Sequence, residues 1–260
     1  MTDQPVAIIS AGASGIGLSC ARALGAEGYR VLTLDIDVEC VVAFEAEFGE
    51  GTAVVCDVSH PAQVETAFAS LMDSCDRVDL LLNNAGIAGP QQPVEEIEVE
   101  AWQSTINTDL NSAFYLTRLV IPLMKAQRSG VILNMSSSAG RYGCPLRSPY
   151  VASKWAAIGL AETWAMELGP WNIRVNALCP GSVGGERIER VIQRDAEERG
   201  VSAEDIRTIY QRQSSLRDFA NAEDIAAMVC FLSGPGGRMV SGQAIGIDGH
   251  TESLANWLDP

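Results

Sequence analysis

The chain has 260 residues, enough for one large domain or two small ones, with 47% hydrophobic and 20% charged residues, the ordinary balance of a soluble globular protein. Its formal net charge of -15, from 18 Lys and Arg against 33 Asp and Glu, argues against the clustered cations that a nucleic-acid partner requires. No basic apolar leader opens the chain and no apolar run is long enough to span a bilayer, so a cytoplasmic protein with no membrane partner is expected.

The first apolar run, Val6–Ser10, reads as a strand and leads into Ser10-Ala11-Gly12-Ala13-Ser14-Gly15-Ile16-Gly17, after which a helical pattern covers Gly15–Glu27. Strand, glycine turn and helix in that order can form a phosphate site. The first helical turn offers free N–H groups and a partial positive charge, and glycine leaves room for a diphosphate to reach them. Ala11, Gly12, Ser14, Gly15, Ile16 and Gly17 are therefore candidate cofactor contacts. Their spacing departs from the common Gly-x-Gly-x-x-Gly fingerprint, so alone it carries little. The second strand, Arg30–Asp35, strengthens it. Asp35 ends that strand about 20 residues beyond the loop, where a carboxylate accepts from the ribose hydroxyls of NAD and repels the 2′-phosphate of NADP. No Arg or Lys follows within 36–42, so NAD is the expected cofactor.

Further strands are expected at Thr52–Cys56, Leu80–Asn83, Gly130–Met135, Arg174–Leu178 and Ala244–Ile247. Further helices are expected at Val38–Glu47, Pro61–Cys75, Glu98–Ile106 running on through Leu110–Arg128, Tyr150–Leu168 and Ala222–Leu232. The strands are continuous apolar runs, which points to burial on both faces and parallel pairing. The expected fold is α/β: a single domain over 1–260, built on a doubly wound, mostly parallel seven-stranded sheet of Rossmann type with helices on both faces. Residues 182–218 break the rhythm with a dense charge run after a strand end, where open α/β sheets place their ligand crevice. They read either as a solvated helical excursion or as a substrate lid. Residues 250–260 form a tail.

Between these elements, Ser148-Pro149-Tyr150-Val151-Ala152-Ser153-Lys154 places Tyr150 and Lys154 one helical turn apart on one face. A phenol is a poor acid–base at neutral pH, and a neighbouring ammonium favours its anion. Upstream, residues 136–138 supply three serine hydroxyls just past a strand end.

With these residues in view the sequence resembles the short-chain dehydrogenase/reductase family, over nearly its whole length. The family's Asn-Asn-Ala-Gly stands here as Asn83-Asn84-Ala85-Gly86, its Asp-Val as Asp57-Val58, its serine as Ser137, its Pro-Gly as Pro180-Gly181, and its last strand resembles Ser241–Gly249. The resemblance implies that Ser137 hydrogen-bonds the reacting oxygen, Tyr150 exchanges the hydroxyl proton, and Lys154 holds the nicotinamide ribose and biases Tyr150 toward its anion. It implies cofactor contacts from the loop Ala11–Gly17, Asp35, Asp57, Val58, Asn84, Ala85, Gly86, Tyr150, Lys154, Pro180, Gly181 and Val183. It also implies a homo-oligomer, tetramer or dimer, in which neighbouring subunits approach near the C-terminus and Trp257 borders a partner's site.

Three positions depart from the family pattern. Ala11 stands where the family has its first glycine, with Gly12 one place later, and its methyl is expected to weaken binding little. Asp109 stands where the family has an asparagine, seven beyond Trp102 and five before Phe114. It is expected to accept a hydrogen bond in place of that asparagine or to pair with Lys154, making it a catalytic candidate, with Asn107 as an alternative substitute. Gly185 replaces a threonine after Pro-Gly, with Ser182 able to compensate in part.

Arg141 and Arg147 lie between Ser137 and Tyr150, and Arg187 and Arg190 open the charged run. With Ser137 and Tyr150, Arg147 and Arg187 are the substrate candidates, since a guanidinium fork suits the carboxylate of a small hydroxy acid or sugar acid. The competing reading pairs these arginines with Glu186, Glu189 or solvent. His60 and His250 have no second histidine at ligand spacing, and seven scattered cysteines form no CxxC pair, so no metal is expected and the thiols read as reduced. The leading function is an NAD-dependent oxidoreductase of a secondary alcohol or ketone. Its alternatives are a 3-oxoacyl thioester reductase and, in another class, a non-catalytic dinucleotide-sensing or scaffold protein.

Overall fold

The computed structural model describes residues 4–73 and 75–254, so Trp257 and the end of the tail lie outside the described residues. Seven strands, β1 (Val6–Ser10), β2 (Arg30–Asp35), β3 (Ala53–Val55), β4 (Leu80–Asn83), β5 (Gly130–Met135), β6 (Ile173–Pro180) and β7 (Ala244–Ile247), form one sheet. Their order is β3-β2-β1-β4-β5-β6-β7, and every neighbouring pair is parallel. The order reverses between β1 and β4, and a doubly wound sheet opens its ligand crevice at the carboxyl ends of the strands beside such a reversal.

Both faces of the sheet are apolar because alternate residues of each strand serve opposite layers. Val6 and Ile8 face helices α3 (Pro61–Met72), α5 (Ser112–Gln127) and α6 (Ser148–Leu168), through Val64, Leu71, Leu116, Val120, Trp164 and Leu168. Ala7 and Ile9 face α1 (Gly15–Ala26), α2 (Val38–Phe48) and α9 (Ala222–Ser233), through Cys20, Leu24, Phe44, Ile225 and Val229. Leu80, Leu81 and Leu82 of β4 are wholly buried, and each such side chain contributes roughly 1.5–3 kcal/mol. None of the helices in the described residues is long and apolar enough to cross a membrane.

Differences from the sequence expectation are mostly at element ends. β3 is shorter than Thr52–Cys56, although the Thr52 carbonyl and the Cys56 N–H still bond to β2. β6 is longer than expected and reaches Pro180, paired with Ile247. The long helix expected after β4 begins as α4 (Val99–Ile106), widens to a π-helical turn at Asn107–Asn111, and resumes as α5. Residues 182–218 are helical, as expected. They form α7 (Glu186–Arg199) and α8 (Ala203–Arg212), which share a small core of Ile188, Ile192, Ala196 and Ile206.

Candidate active site

The carboxyl ends of β1 and β4 are tied together at the reversal. The Ser10 hydroxyl accepts from the backbone N–H of Asn84 and of Ala85, each at 3.0 Å. The Asn84 amide donates to the Ala11 carbonyl at 2.9 Å and to the Ser10 carbonyl at 3.2 Å. This binds the glycine turn to the Asn84-Ala85-Gly86 segment. Within the turn, a Cβ on Gly17 would fall onto the Ala11 carbonyl oxygen and one on Gly12 onto the Thr33 hydroxyl, so both positions require glycine. Gly15 has φ +51° with open space around it. Ala11 also has positive φ, 51°, where a side chain is strained, so the glycine displaced to position 12 leaves a local cost at 11.

Helices α2, α8 and α9 close their first turns with side-chain caps, while Ser14 makes none at α1 and no acidic residue stands in that first turn. The first amides of α1 are thus left for an anion, and the space above Gly15 admits one. Asp35, 5% exposed, accepts from the Ala13 N–H at 3.0 Å and the Asp37 N–H at 3.2 Å, which sets the end of β2 against the turn. Asp57 accepts from the Ser59 N–H at 2.9 Å and lies 3.1 Å from His60. Against the upward push of burial, those two neighbours hold its carboxyl below the ordinary value. On the far side, Gly181 donates to the Ile247 carbonyl and packs closely on Asp248, while Val183 bridges to Ala220. A dinucleotide fits this frame: an uncapped helix start, a turn cleared of side chains and a carboxylate at the next strand end.

The proton-transfer candidates stand at the edge of the same crevice. Pro149 starts α6, and its next turns bring Tyr150 and Lys154 together, with the Lys154 ammonium 5.4 Å from the Tyr150 ring centre. Lys154 is 3% exposed and donates to the Met135 carbonyl at 3.1 Å. The Ser136 hydroxyl donates to the Lys154 carbonyl at 2.7 Å, so the turn carrying Ser137 rests on α6. Ser137 itself accepts from the Ala139 N–H and is partly exposed.

Asp109 sits in the π-helical turn and completes the group. Its Oδ1 accepts from the Ile87 N–H at 2.7 Å, and its Oδ2 lies 3.5 Å from the Lys154 ammonium with no other partner. Both side chains are buried. Burial pushes the Asp109 carboxyl up, and Lys154, the Ile87 amide and Arg187 counter that push. A Cβ on Gly86 would come within 3.1 Å of the Lys154 ammonium, so a side chain there would crowd it. Asn107 is no substitute for Asp109, because its carbonyl is taken by the Asn111 amide at 2.8 Å.

Above this group, α7 and the 86–91 segment enclose a cleft of about 380 Å³ lined by Arg147, Arg187, Arg190 and Arg194. Arg141 stays outside it, lying over Tyr142 and against Gly246 on the β7 side. Arg194 was missing from the sequence expectation, although its spacing with Arg187 and Arg190 on one helix is the pattern of a single face. Tyr210 of α8 was missing too. Burial and Asp195 push its hydroxyl up to about 12, while Arg147 acts to lower it. Gly185, with φ +127°, caps the start of α7 in a conformation that a threonine would strain. No group of three or more metal-ligating side chains occurs among the described residues.

A family model described as short chain dehydrogenase matches residues 5–196. The chain is similar to a 3-oxoacyl-[acyl-carrier-protein] reductase of Thermotoga maritima, 36% identical over 94% of this chain and 96% of that protein. Among solved structures it resembles an NAD+-bound xylitol dehydrogenase, with TM-score 0.87 and 29% identity over 94% of this chain and 97% of the other. It equally resembles an actinorhodin polyketide ketoreductase with NADPH, with TM-score 0.89 and 31% identity over 98% of both chains.

Proposed function

The chain belongs to the short-chain dehydrogenase family, and from that premise we propose that it works with NAD on a secondary alcohol or the matching ketone. Membership carries the reaction class, hydride transfer between a nicotinamide dinucleotide and an alcohol or ketone. The observation that carries the assignment of residues is the Tyr150–Lys154 pair on one turn of α6, with Lys154 fixed between Met135 and Asp109 at the rim of the glycine-turn crevice. A scaffold with no chemistry has no need of a buried ammonium with its own counter-ion, which costs several kcal/mol to desolvate.

In this reading the dinucleotide would be held by Ala11, Gly12, Ser14, Gly15, Ile16 and Gly17, by Asp35, Asp57 and Val58, by Asn84, Ala85 and Gly86, and by Pro180, Gly181 and Val183. When bound, it supplies the hydride acceptor or donor. Ser137 holds the substrate oxygen. During oxidation the Tyr150 phenolate takes the hydroxyl proton as the carbinol carbon loses its hydride, leaving a ketone; reduction reverses both transfers. Lys154 favours the phenolate and binds the ribose. Asp109 is a positioning residue that keeps Lys154 in place.

NAD is preferred over NADP because Asp35, anchored by two amides at the end of β2, presents a carboxylate where a 2′-phosphate would have to sit, with no Lys or Arg in 36–42. A reductase of 3-oxoacyl thioesters is the second reading, favoured by the Thermotoga relative. One panel tests both: secondary alcohols with NAD and NADP, and acyl thioesters with both reduced cofactors. A kcat/KM preference for NADPH with thioesters would overturn the NAD reading. We further assign a cytoplasmic location, where seven free thiols stay reduced, and a homo-oligomer, because Phe114, Trp155 and Met166 leave α5 and α6 with exposed apolar faces. Light scattering that gives a monomer would refute the latter.

A further inference from the structure

We propose that the cleft under α7 is a carboxylate site, and that the substrate is a small hydroxy or keto acid whose anionic group lies between Arg147 and Arg187. This rests on the hydride-transfer reading above and names the substrate class of the same site. The chain carries a net charge of -15, yet four of its 18 cationic side chains line one cleft of about 380 Å³. Small anions are repelled by the protein as a whole, so this local reversal of sign needs a reason.

Two of the four arginines are accounted for: Arg190 lies 3.6 Å from Glu186, and Arg194 is 2.7 Å from Glu198. Among the described residues no carboxylate is within ion-pair distance of Arg147 or Arg187. Arg147 donates to the Ala88 carbonyl at 3.2 Å and to the Gln91 side-chain oxygen at 2.8 Å, contacts that aim its guanidinium without neutralising it. Arg187, on the first turn of α7, lines the same cleft as Gly86, whose backbone lies beside the Lys154 ammonium. An anion between the two guanidinia would tie the lid to the body of the fold, next to the group that moves the proton. The cleft is at the small end for ligand pockets, which suits a short acid.

The test titrates malonate and its neutral diamide, malonamide, calorimetrically into the whole protein at fixed ionic strength, for the wild type, Arg187→Gln and the Arg147→Gln/Arg187→Gln double variant. A parallel arm compares kcat/KM for gluconate and sorbitol with NAD. We expect malonate to bind at least about tenfold tighter than malonamide, and both variants to lose most of that advantage. Malonamide binding as well as malonate, no malonate binding, or an advantage that survives the double variant would each overturn the proposal. The binding arm needs no hydride transfer. Carboxylate binding without turnover of any alcohol therefore counts against the oxidoreductase reading alone, while sorbitol turned over as well as gluconate counts against the carboxylate site alone.

Discussion

Replacing Asp109 by asparagine removes one negative charge from behind the Lys154–Tyr150 pair while keeping the shape and the acceptor for the Ile87 N–H. The carboxylate oxygen is 3.5 Å from the ammonium, which is 5.4 Å from the Tyr150 ring centre, so carboxylate and ring centre are within 8.9 Å. At that range and an effective dielectric constant near 20, the charge contributes about 2 kcal/mol to the energy of a neighbouring anion, equivalent to roughly one pH unit. Loss of the repulsion favours the phenolate, so the acid limb of kcat/KM for alcohol oxidation is expected to move down by about one unit in Asp109→Asn. The gross attraction to Lys154 is about 5 kcal/mol on the same basis, but burial of the carboxylate offsets it. The direction of the Asp109 shift says that burial prevails. A carboxyl raised in the folded state contributes stability below its unfolded value, near 4, and that contribution is lost as pH rises through the folded value. The wild type should therefore lose stability relative to the variant as pH rises above about 4, read by urea unfolding at several pH values. A pH–rate profile that does not move would refute an electrostatic action of Asp109 on the phenol.

Other expectations follow from the same geometry. Lys154→Met leaves the Asp109 Oδ2 buried without a cation, and should cost about 3–5 kcal/mol at pH 8 with partial recovery at pH 5; the Lys154→Met/Asp109→Asn double variant should regain most of it. Thermal melts at the two pH values check this, and a pH-independent loss would contradict it. Ala11→Gly relieves a left-handed residue, for a net gain of roughly 0.5–1 kcal/mol after the extra freedom of glycine in the unfolded chain. Urea unfolding measures the gain, and NAD affinity should stay nearly unchanged. Asp35→Ala removes the acceptor of two amides and the carboxylate opposite the ribose, and should cut the ratio of kcat/KM for NAD over NADP by about 10- to 100-fold; an unchanged ratio would remove Asp35 from cofactor choice.

The sheet was legible because its strands are continuous apolar runs that no amphipathic helix imitates, and five of the seven strands have their expected bounds. The pairing of Asp109 with Lys154 was expected from its place in the family pattern, but the π-helical turn that carries Asp109 was not, because nothing in Asn107-Thr108-Asp109-Leu110-Asn111 announces it. The glycine turn was recognisable, but the positive φ at Ala11 belongs to a backbone path that spacing does not reveal. Of the arginines, Arg147 and Arg187 line the cleft, whereas Arg141, nine residues before Tyr150 against three for Arg147, lies toward β7. Residues 182–218 were readable as charged and helical, yet the small core of Ile188, Ile192, Ala196 and Ile206 that α7 and α8 share shows only once the sequence is read at helical period.

The most direct test is Tyr150→Phe, which keeps the ring beside Lys154 and removes only the hydroxyl. Turnover of secondary alcohols, followed by the absorbance of reduced nicotinamide, should fall by about 10²- to 10⁴-fold while nucleotide affinity is retained. Turnover within a few fold of the wild type would show that another group moves the proton, and the account of the site would be wrong.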